Sequence, residues 1–410
     1  MSNNINTPRL RFPEFSGEWE EKKLGDVATK MNRRNSQLEV SRVLTNSANA
    51  GIVDQNEYFD RDIAVKDNTA NYHIVEIEDF VYNPRISTAA PVGPISVNKI
   101  GRGIMSPLYT VFKIHTGCIS FFEQYFQTTI WHSYLKSIAN FGARFDRMNI
   151  TSEGFFSMPL LLPSQAEQEK IAECLTEMDN LISAQTQKVD ALKEKKKGLM
   201  QQLFPQPGQS TPQLRFPGFT GDWEEKKLGE VGITVSGLTY SPSNISSDGL
   251  LVLRSSNIQN DVLCFEDCVY VKSIKKYNPV KENDILICVR NGSASLIGKC
   301  ALIPNGLSAA FGAFMMVFRT PEWKFVFQLL KTELYSKQVQ QNLGARINSI
   351  NSEDFRNYKF FFPTSAAEQQ KIAECLSALD EQIAAESAKV EALKDHKKGL
   401  MQQMFPQTGK

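Results

Sequence analysis

The chain has 410 residues, of which 41% are hydrophobic and 22% charged, which is typical of a globular protein with two to four domains. No apolar run approaches the roughly 20 residues that a membrane-spanning helix needs, and residues 1–12 lack the apolar core of an export signal, so we expect a cytoplasmic protein with no membrane partner. The net charge of +1 neither supports nor excludes a nucleic-acid partner, because a near-neutral total can hide a basic face.

A segment near the start of the chain recurs in its middle. Residues 8–27 read PRLRFPEFSGEWEEKKLGDV and residues 212–231 read PQLRFPGFTGDWEEKKLGEV, with fifteen of twenty positions identical. The chain is therefore an internal duplication. Trp19 and Trp223 lie at the same place in the two copies, where they could pack against the protein or contact a partner subunit. We favour packing.

The regions that follow each copy, about residues 28–139 and 232–341, show little similarity to each other. In both, β-branched and aromatic residues between Gly, Pro and Asn turns predict strands, and a helix is predicted over Ser120–Ser137 and Trp323–Leu343. Each region is therefore expected to be a strand-rich α+β domain. The sequence NFGAR (140–144) after the first region matches NLGAR (342–346) after the second.

Two long helices are predicted over Ala166–Phe204 and Ala367–Phe405, each bounded by prolines. Apolar residues recur in alternating steps of four and three, which is typical of a coiled-coil seam. The seam residues are Ile171, Leu175, Met178, Ile182, Gln185, Val189, Leu192, Lys196, Leu199 and Leu203, and then Ile372, Leu376, Leu379, Ile383, Glu386, Val390, Leu393, Lys397, Leu400 and Met404. We predict that the two helices pair with each other.

The predicted pairing is antiparallel, with Ile171 opposite Met404. That register brings Gln185 opposite Val390 and Glu386 opposite Val189, so these two polar residues are candidates for fixing the register. The seam lysines, Lys196 and Lys397, are expected to extend their amines to solvent or to face a partner subunit.

The predicted fold class is α+β: two strand-rich domains separated by two long helices that pair as an antiparallel coiled coil, with an internal pseudo-twofold repeat. The predicted boundaries are a first recognition domain (1–163), a first spacer helix (164–206), a second recognition domain (207–363) and a second spacer helix with a tail (364–410).

Catalytic and metal motifs are missing from the sequence. The four histidines and seven cysteines lack metal-site spacing, and the cysteines are interpreted as reduced thiols. Residues 292–300 imitate a phosphate-binding loop with the wrong spacing, so we predict a strand–turn–strand there. Residues 82–85 (YNPR) lack the second proline and the aromatic residue of an amino-methyltransferase motif. The chain is therefore not predicted to be an enzyme.

The order of these motifs over the whole chain resembles the specificity subunits of type I restriction–modification systems. The resemblance rests on the doubled RFPxFxGxWEEKKLG segment, the GAR segments, the helix starts LLLPSQAEQEKIAECL and FFPTSAAEQQKIAECL, and the KKGLMQQ helix ends. It implies that each variable region is a target-recognition domain that reads one half of a bipartite, asymmetric site in double-stranded DNA. It also implies that the helices set the spacing between the half-sites.

The same resemblance implies that the helices dock two methyltransferase subunits, to which restriction motor–nuclease subunits can be added. S-adenosylmethionine, ATP and magnesium are expected on those partner subunits, and no cofactor is expected on this chain. A two-headed scaffold that binds no nucleic acid is the alternative. A self-sufficient methyltransferase or nuclease is disfavoured by the missing motifs.

Candidate DNA contacts are polar and basic residues in loops, since such side chains read base edges and hold phosphates. In the first half they are Asn83, Arg85, Ser87, Thr88, Asn98, Lys99, Arg102 and Arg144, and in the second half Arg254, Ser255, Asn257, Arg290, Asn291, Ser293, Lys299 and Arg346. The doubled Arg144 and Arg346 suit a sequence-independent phosphate contact. Because the charge is balanced, we expect the chain alone to bind DNA weakly.

Overall fold

A computed structural model describes residues 6–59, 69–140, 146–272, 274, 276–345 and 349–406. The chain divides into two compact units, one formed by Met1–Thr186 with Lys389–Lys410 and the other by Gln187–Ala388. Each unit therefore holds one copy of the repeated segment, one variable region and a part of both long helices. Among the described residues, no helix is long and apolar enough to cross a membrane.

The first unit is a strand-rich domain with short helices. Its strands are β1 (Glu20–Lys23), β2 (Ala28–Lys30), β3 (Leu44–Ser47), β4 (Gly51–Asp54), β5 (His73–Val75), β6 (Asp79–Tyr82), β7 (Ile95–Val97), β8 (Gly103–Met105), β9 (Thr110–Ile114) and β10 (Pro159–Leu162). Its short helices are α1 (Leu24–Val27), α2 (Gln55–Phe59), α3 (Ile119–Gln127), α4 (His132–Ile138) and α5 (Ser152–Phe156). The long helix α6 (Gln165–Leu203) begins in this unit.

The central sheet of the first unit has the strand order β2-β9-β6-β7, and its neighbours are antiparallel. It is covered on both faces. Phe80 and Phe112 belong to the main core on one face, and Val81 and Val111 belong to a second cluster on the other. Burial on both faces explains why β6 is a continuous apolar run after Asp79.

The second unit repeats this plan with more strands. Its strands are β11 (Glu224–Lys227), β12 (Ile233–Ser236), β13 (Ile245–Ser246), β14 (Leu250–Leu253), β15 (Ile258–Gln259), β16 (Val262–Leu263), β17 (Val269–Val271), β18 (Ile285–Cys288), β19 (Cys300–Leu302), β20 (Ala310–Phe311), β21 (Met315–Arg319) and β22 (Lys359–Phe362). Its helices are α7 (Leu228–Val231), α8 (Trp323–Leu329), α9 (Glu333–Ala345), α10 (Ser352–Asn357) and the start of the long helix α11 (Ala366–Met404).

The sheet β12-β21-β18-β19 is the counterpart of β2-β9-β6-β7, and the pair β11-β22 is the counterpart of β1-β10. The units differ around this shared frame. The second unit adds a sheet of order β13-β17-β14-β20, with β14 and β20 parallel. The first unit has the separate hairpin β3-β4 and the pair β5-β8. The α+β class with two long helices is confirmed.

The long helices begin and end within one residue of the predicted bounds. Every predicted seam residue is buried or half-buried. The shorter helices were predicted less well. The prediction of one helix over Ser120–Ser137 is wrong, because α3 ends at Gln127 and α4 starts at His132. The second predicted helix also breaks, between Leu329 and Glu333.

In the first unit, the repeated segment packs on the start of α6. Arg11 donates from Nε and Nη2 to the two carboxylate oxygens of Glu167, at 2.8 and 2.7 Å. The Glu167 side chain is 2% exposed, so this bidentate pair supplies the partner that a buried carboxylate requires. Trp19 is buried and meets Phe121 and Phe405 edge-on.

The second unit has the same arrangement. Arg215 donates to both oxygens of Glu368 at 2.6 and 2.8 Å. Trp223 is buried against Phe325, which in turn contacts Phe204. The prediction that the two tryptophans pack within the protein is confirmed.

Candidate nucleic-acid interface

In the second unit, loops from distant parts of the sequence meet at one end of the central sheet. Asn291 Nδ2, just after β18, donates to Ser255 Oγ, just after β14, at 2.9 Å. The backbone N–H of Arg290 donates to the carbonyl of Phe314, just before β21, at 3.2 Å. The structure thus brings together two candidate groups, Arg254–Ser255 and Arg290–Asn291. Ser293 and Lys299, in the β18–β19 connection, are exposed.

Asn257 is not exposed at this surface, and its role as a DNA contact stays a prediction that this burial disfavours. The side chain is fully buried. Its Oδ1 accepts a hydrogen bond from the Arg254 N–H at 2.8 Å, and its Nδ2 donates to the carbonyls of Cys264 and Asp267. Asn257 therefore shapes the turn that carries Arg254. The Arg254 guanidinium pairs with the Asp267 carboxylate at 2.7 Å.

The predicted loop Tyr82–Arg102 of the first unit is not one loop. Strand β7 runs through it and pairs with β6 in an antiparallel hairpin, with Tyr82 opposite Ile95 and Phe80 opposite Val97. The candidates before β7 and those after it therefore lie at opposite ends of the hairpin. Only one of these ends can belong to a surface equivalent to that of the second unit.

Asn83 and Asn98, one at each end of the hairpin, are also buried, which disfavours the prediction that they contact DNA. Asn83 is 7% exposed, donates to the Asn46 carbonyl at 2.8 Å and accepts from the Arg85 N–H at 3.1 Å. Asn98 is fully buried and bonds the backbone of its own loop. Both asparagines hold turns in place, and Asn83 fixes the backbone of Arg85.

The remaining candidate DNA contacts of the first unit fall into two groups, one exposed and one paired with acidic side chains. Arg85, Ser87 and Thr88 are exposed at the end where β6 leaves the sheet. At the other end, Lys99 pairs with Glu123 at 2.7 Å and Arg102 with Glu76 at 3.1 Å. Their charges are already matched by acids, which lowers their value as phosphate contacts.

Arg85 and Arg290 are equivalent positions in the two sheets. Each lies six residues after a buried aspartate, which is Asp79, the first residue of β6, or Asp284, the residue just before β18. Arg85 forms an isolated antiparallel bridge with Arg147, and Arg290 forms one with Ser349. The duplication therefore places one exposed arginine at the same register position in each unit.

The GAR arginines, Arg144 and Arg346, lie outside the described residues. The bridge partners Arg147 and Ser349 follow them by three residues in the sequence. The phosphate role predicted for the two GAR arginines stays a prediction.

Sequence reasoning missed an exposed apolar residue at an equivalent position of each unit. Phe314 is 56% exposed, and Leu108, at the corresponding place before β9, is 52% exposed. The available signal was position, since both precede the sheet strand that pairs with β18 or β6. From sequence alone, an apolar residue just before a buried strand is assigned to the hydrophobic core. This explains why neither residue was predicted to lie at the interface.

The expectation that Lys196 and Lys397 reach solvent is wrong. Lys397 is 7% exposed, and its amine bonds both oxygens of Asp179 at 2.7 and 2.8 Å within the first unit. Lys196 is 8% exposed and bonds Asp380 at 2.6 Å within the second. Both pairs lie within one residue of the predicted antiparallel register.

The charges around Asp380 influence one another. Burial favours a raised pKa for this carboxyl, but Lys331 and Lys196 outweigh it, and the pKa of Asp380 lies below its ordinary value. The pKa of Lys196 is lowered, first by burial and then by Lys331, despite the opposing effect of Asp380. A carboxylate between two nearly buried lysines therefore stays charged.

Glu386, one of the two polar seam residues, is 7% exposed and accepts a hydrogen bond from Lys188 Nζ at 2.9 Å in the second unit. Lys188 and Glu386 lie within one residue of the predicted register. The role of Gln185 and Glu386 in fixing that register stays a prediction.

The described residues include no group of three or more His, Cys, Asp or Glu side chains that could hold a metal ion. Residues 292–300 lie between β18 and β19, which pair with Ile287 opposite Cys300. The prediction of a strand–turn–strand there is confirmed. Ser293 and Lys299 are both exposed in this connection.

A family model described as "Type I restriction modification DNA specificity domain" matches this chain twice, over residues 16–194 and 220–395. The chain is 27% identical over 269 residues to the type I restriction enzyme MjaVIII specificity subunit of Methanocaldococcus jannaschii, covering 62% of this chain and 63% of that protein. It is 29% identical over 181 residues to the EcoKI specificity subunit of Escherichia coli strain K12, covering 42% of this chain and 39% of the relative. The chain thus matches less than two thirds of the length of each of these relatives.

Two solved structures share the fold. A type I restriction–modification S subunit from M. genitalium matches with a TM-score of 0.59 and 12% identity, over 98% of this chain and 99% of that one. A chain from a study of the assembly and conformational transition of the type I R-M system matches with a TM-score of 0.56 and 14% identity, over 97% and 100%. At these identities the likeness shows the fold alone.

Proposed function

The chain belongs to the type I restriction–modification DNA specificity family, and we propose that it supplies the DNA sequence specificity of such a system. Each variable region reads one half of a bipartite, asymmetric site in double-stranded DNA. The chain performs no chemical step itself. Methyl transfer and DNA cleavage belong to the methyltransferase and motor–nuclease subunits that it assembles, together with S-adenosylmethionine, ATP and magnesium.

One observation carries this proposal beyond family membership. The two units repeat the same sheet and place an exposed arginine at the same register position, Arg85 or Arg290. The loops around that position differ completely, with a β3-β4 hairpin in one unit and the Ser255 turn in the other. A shared frame with different polar loops is what two related readers of two different half-sites require.

We assign the spacing between half-sites to the long helices. Each is a single 39-residue α-helix, which is about 58 Å long at about 1.5 Å per residue and corresponds to about 17 base pairs. The nearly buried amines of Lys397 and Lys196 form ion pairs close to the predicted helix register, with Asp179 in the first unit and Asp380 in the second. A constant gap between the half-sites requires a rigid spacer, and the two long helices are our candidates for it.

The decisive experiment maps methylated adenines in the DNA of cells that carry the complete system. A bipartite motif is expected. Exchanging residues 28–139 for those of another family member should change one half of the motif, and exchanging residues 232–341 should change the other half. If either exchange altered both halves, the assignment of one half-site to each domain would be wrong. Absence of any methylated motif would favour the non-nucleic-acid scaffold.

A matched pair of insertions tests the spacing role. Seven residues inserted after Gln185 and seven after Glu386 keep the seam in phase, because seven residues are two turns of a coiled-coil repeat. We expect the gap between the half-sites to grow by about three base pairs, since seven residues add roughly 10.5 Å. An unchanged gap would show that the helices do not set the spacing.

A further inference from the structure

The loop surface of the second unit contains an arginine stacked on an exposed aromatic ring. The Arg290 guanidinium lies over the Phe314 ring, with 5.4 Å between the guanidinium carbon and the ring centroid. Arg290 is exposed, and Phe314 is 56% exposed. Among the described residues, Arg290 has no carboxylate partner, whereas the neighbouring Arg254 is paired with Asp267. Arg290 therefore presents unpaired donors at this surface.

The backbone fixes this pair in place. The N–H groups of Val289 and Arg290 both donate to the Phe314 carbonyl, at 3.0 and 3.2 Å. On the other side, the Val289 carbonyl accepts a hydrogen bond from the Ile350 N–H at 2.9 Å. The adjacent Asn291 side chain is tied to Ser255. An arginine whose backbone and ring support are both fixed loses little conformational entropy when it binds a ligand.

The first unit lacks this pair. Its equivalent arginine, Arg85, is exposed at the same register position, but the residue corresponding to Phe314 is Leu108. A leucine side chain offers no π face on which a guanidinium can stack. Within the described part of the chain, this register position therefore carries a stacked arginine in the second recognition domain and not in the first.

We propose that Arg290, held by Phe314, is a specificity-determining residue that reads a guanine in the half-site of the second recognition domain. A planar guanidinium held at a fixed angle donates two parallel hydrogen bonds to guanine O6 and N7 in the major groove, and no other base offers two acceptors there. Phe314 acts as a positioning residue. This inference rests on the proposed function and adds the base and the residue that reads it.

The test maps methylated adenines in cells with the complete system that carry Arg290→Ala, Arg290→Lys or Phe314→Leu. In the wild type, the half-site that changes when residues 232–341 are exchanged must contain a G·C pair. Arg290→Ala and Arg290→Lys should each relax that one position by about tenfold or more, because lysine keeps the charge but not the bidentate geometry. Phe314→Leu, which copies the first unit, should relax the same position less.

Lys299→Ala is the matched control, because it removes the same charge from another exposed residue of the β18–β19 connection. It should lower methylation evenly at all sequences without changing the base preference. If Arg290→Ala acts like Lys299→Ala, Arg290 is a phosphate contact and the inference is overturned. An unchanged preference in Arg290→Lys, or a second half-site with no G·C pair, also overturns it.

These failures differ from failure of the proposed function, in which the wild-type system itself yields no bipartite motif. Thermal melting of each purified variant separates loss of reading from loss of folding. A variant with normal melting and a relaxed position supports the inference. A lowered melting temperature with an unchanged motif counts against it.

Discussion

In each unit, a matching cluster of polar and charged side chains joins the recognition domain to the long helices. In each, a glutamine on a domain helix donates to an aspartate on one long helix, and a lysine from the other long helix bonds the same aspartate. The residues are Gln124, Asp179 and Lys397 in the first unit, and Gln328, Asp380 and Lys196 in the second. We call each of these glutamine–aspartate–lysine clusters a joint. Both copies of the duplication have the joint, whereas their loops differ.

The two joints differ at one position. Gln127 in the first unit accepts a hydrogen bond from Lys397, while the equivalent Lys331 in the second unit donates to Asp380 at 3.2 Å. Lys331 also lies over the Phe327 ring and within 3.8 Å of Asp261. The second joint therefore holds more charge in the same framework, and its stability should depend more strongly on its central carboxylate.

The largest expected effect is truncation of the buried tryptophans. Trp19→Ala should destabilise the first unit and Trp223→Ala the second, by about 3–5 kcal/mol each, because both rings are buried among other aromatic rings. Hydrogen exchange with mass spectrometry should show lost protection in the unit that carries the substitution. Tryptophan to phenylalanine is the milder control. Equal loss in both units after either change would contradict the division into two units.

Removal of the central carboxylates comes next. Asp179→Ala leaves the nearly buried Lys397 amine without its ion pair, and we expect a loss of about 1–3 kcal/mol because the carboxylate itself is partly exposed. Asp380→Ala should cost more, because Lys196 and Lys331 both lose their partner. Denaturant unfolding of the two variants tests the order. The double variant Asp179→Leu with Lys397→Met should recover much of the loss, and a reversed order would refute the comparison.

Mild acid is expected to lower the stability of the first unit, and not of the second, by protonating histidines. All four histidines of the chain lie in it. Burial and then Arg34 and Lys30 lower the pKa of His73 from 6.5 to about 4. Between pH 6.5 and 4, His73 is largely protonated in the unfolded chain but neutral in the folded chain. The free energy of unfolding therefore decreases as the pH falls. The loss is at most about 3 kcal/mol.

Two other groups modify this pH dependence. Burial and then Lys136 lower the pKa of His132 to about 4, in the same direction. Asp79, whose pKa is raised by burial, acts in the opposite direction. Hydrogen exchange at pH 7 and pH 5 should show a decrease in protection in the first unit, and His73→Gln should reduce that decrease. Equal sensitivity of the second unit would require another cause.

The smallest effect is expected at the ion pair between Lys188 and Glu386. Lys188 is 52% exposed, so Lys188→Ala should cost about 0.5–1 kcal/mol, and less at high salt. Gln185 holds the position in α6 that is equivalent to Glu386 in α11. Denaturant unfolding at 0.1 M and 1 M salt, where the screening length is about 10 Å and about 3 Å, compares Lys188→Ala with the unsubstituted protein. An equal difference in stability at the two salt concentrations would contradict a screened surface pair.

The sequence predicted best what depends on periodicity and repetition. The seam of α6 and α11 repeats over many turns between prolines, so its helix bounds were predicted within one residue. The antiparallel register also followed from the seam, but the ion pairs did not. Lys196 and Lys397 look like surface lysines until the aspartates of the other helix are placed beside them.

The interface was predicted less well, because it depends on contacts between distant residues. Asn291 and Ser255 are 36 residues apart, and no local pattern shows that they meet. Asn83 and Asn257 have the residue type of a base reader, but their side chains accept backbone N–H groups two residues ahead or three behind. Asparagine commonly does this in turns, which was the available warning.

The core of the first unit includes Phe405, which contacts both Trp19 and Phe121. Ribosomes make the chain from its amino end, so Trp19 leaves the exit tunnel long before Phe405 is made. At about 5–20 residues per second, the intervening synthesis takes at least about 20 seconds. During that time, the aromatic core of the nascent first unit is incomplete, and the surface that Phe405 later covers is exposed to solvent. The second unit, whose segments from residue 187 to 388 are contiguous, can complete its core first.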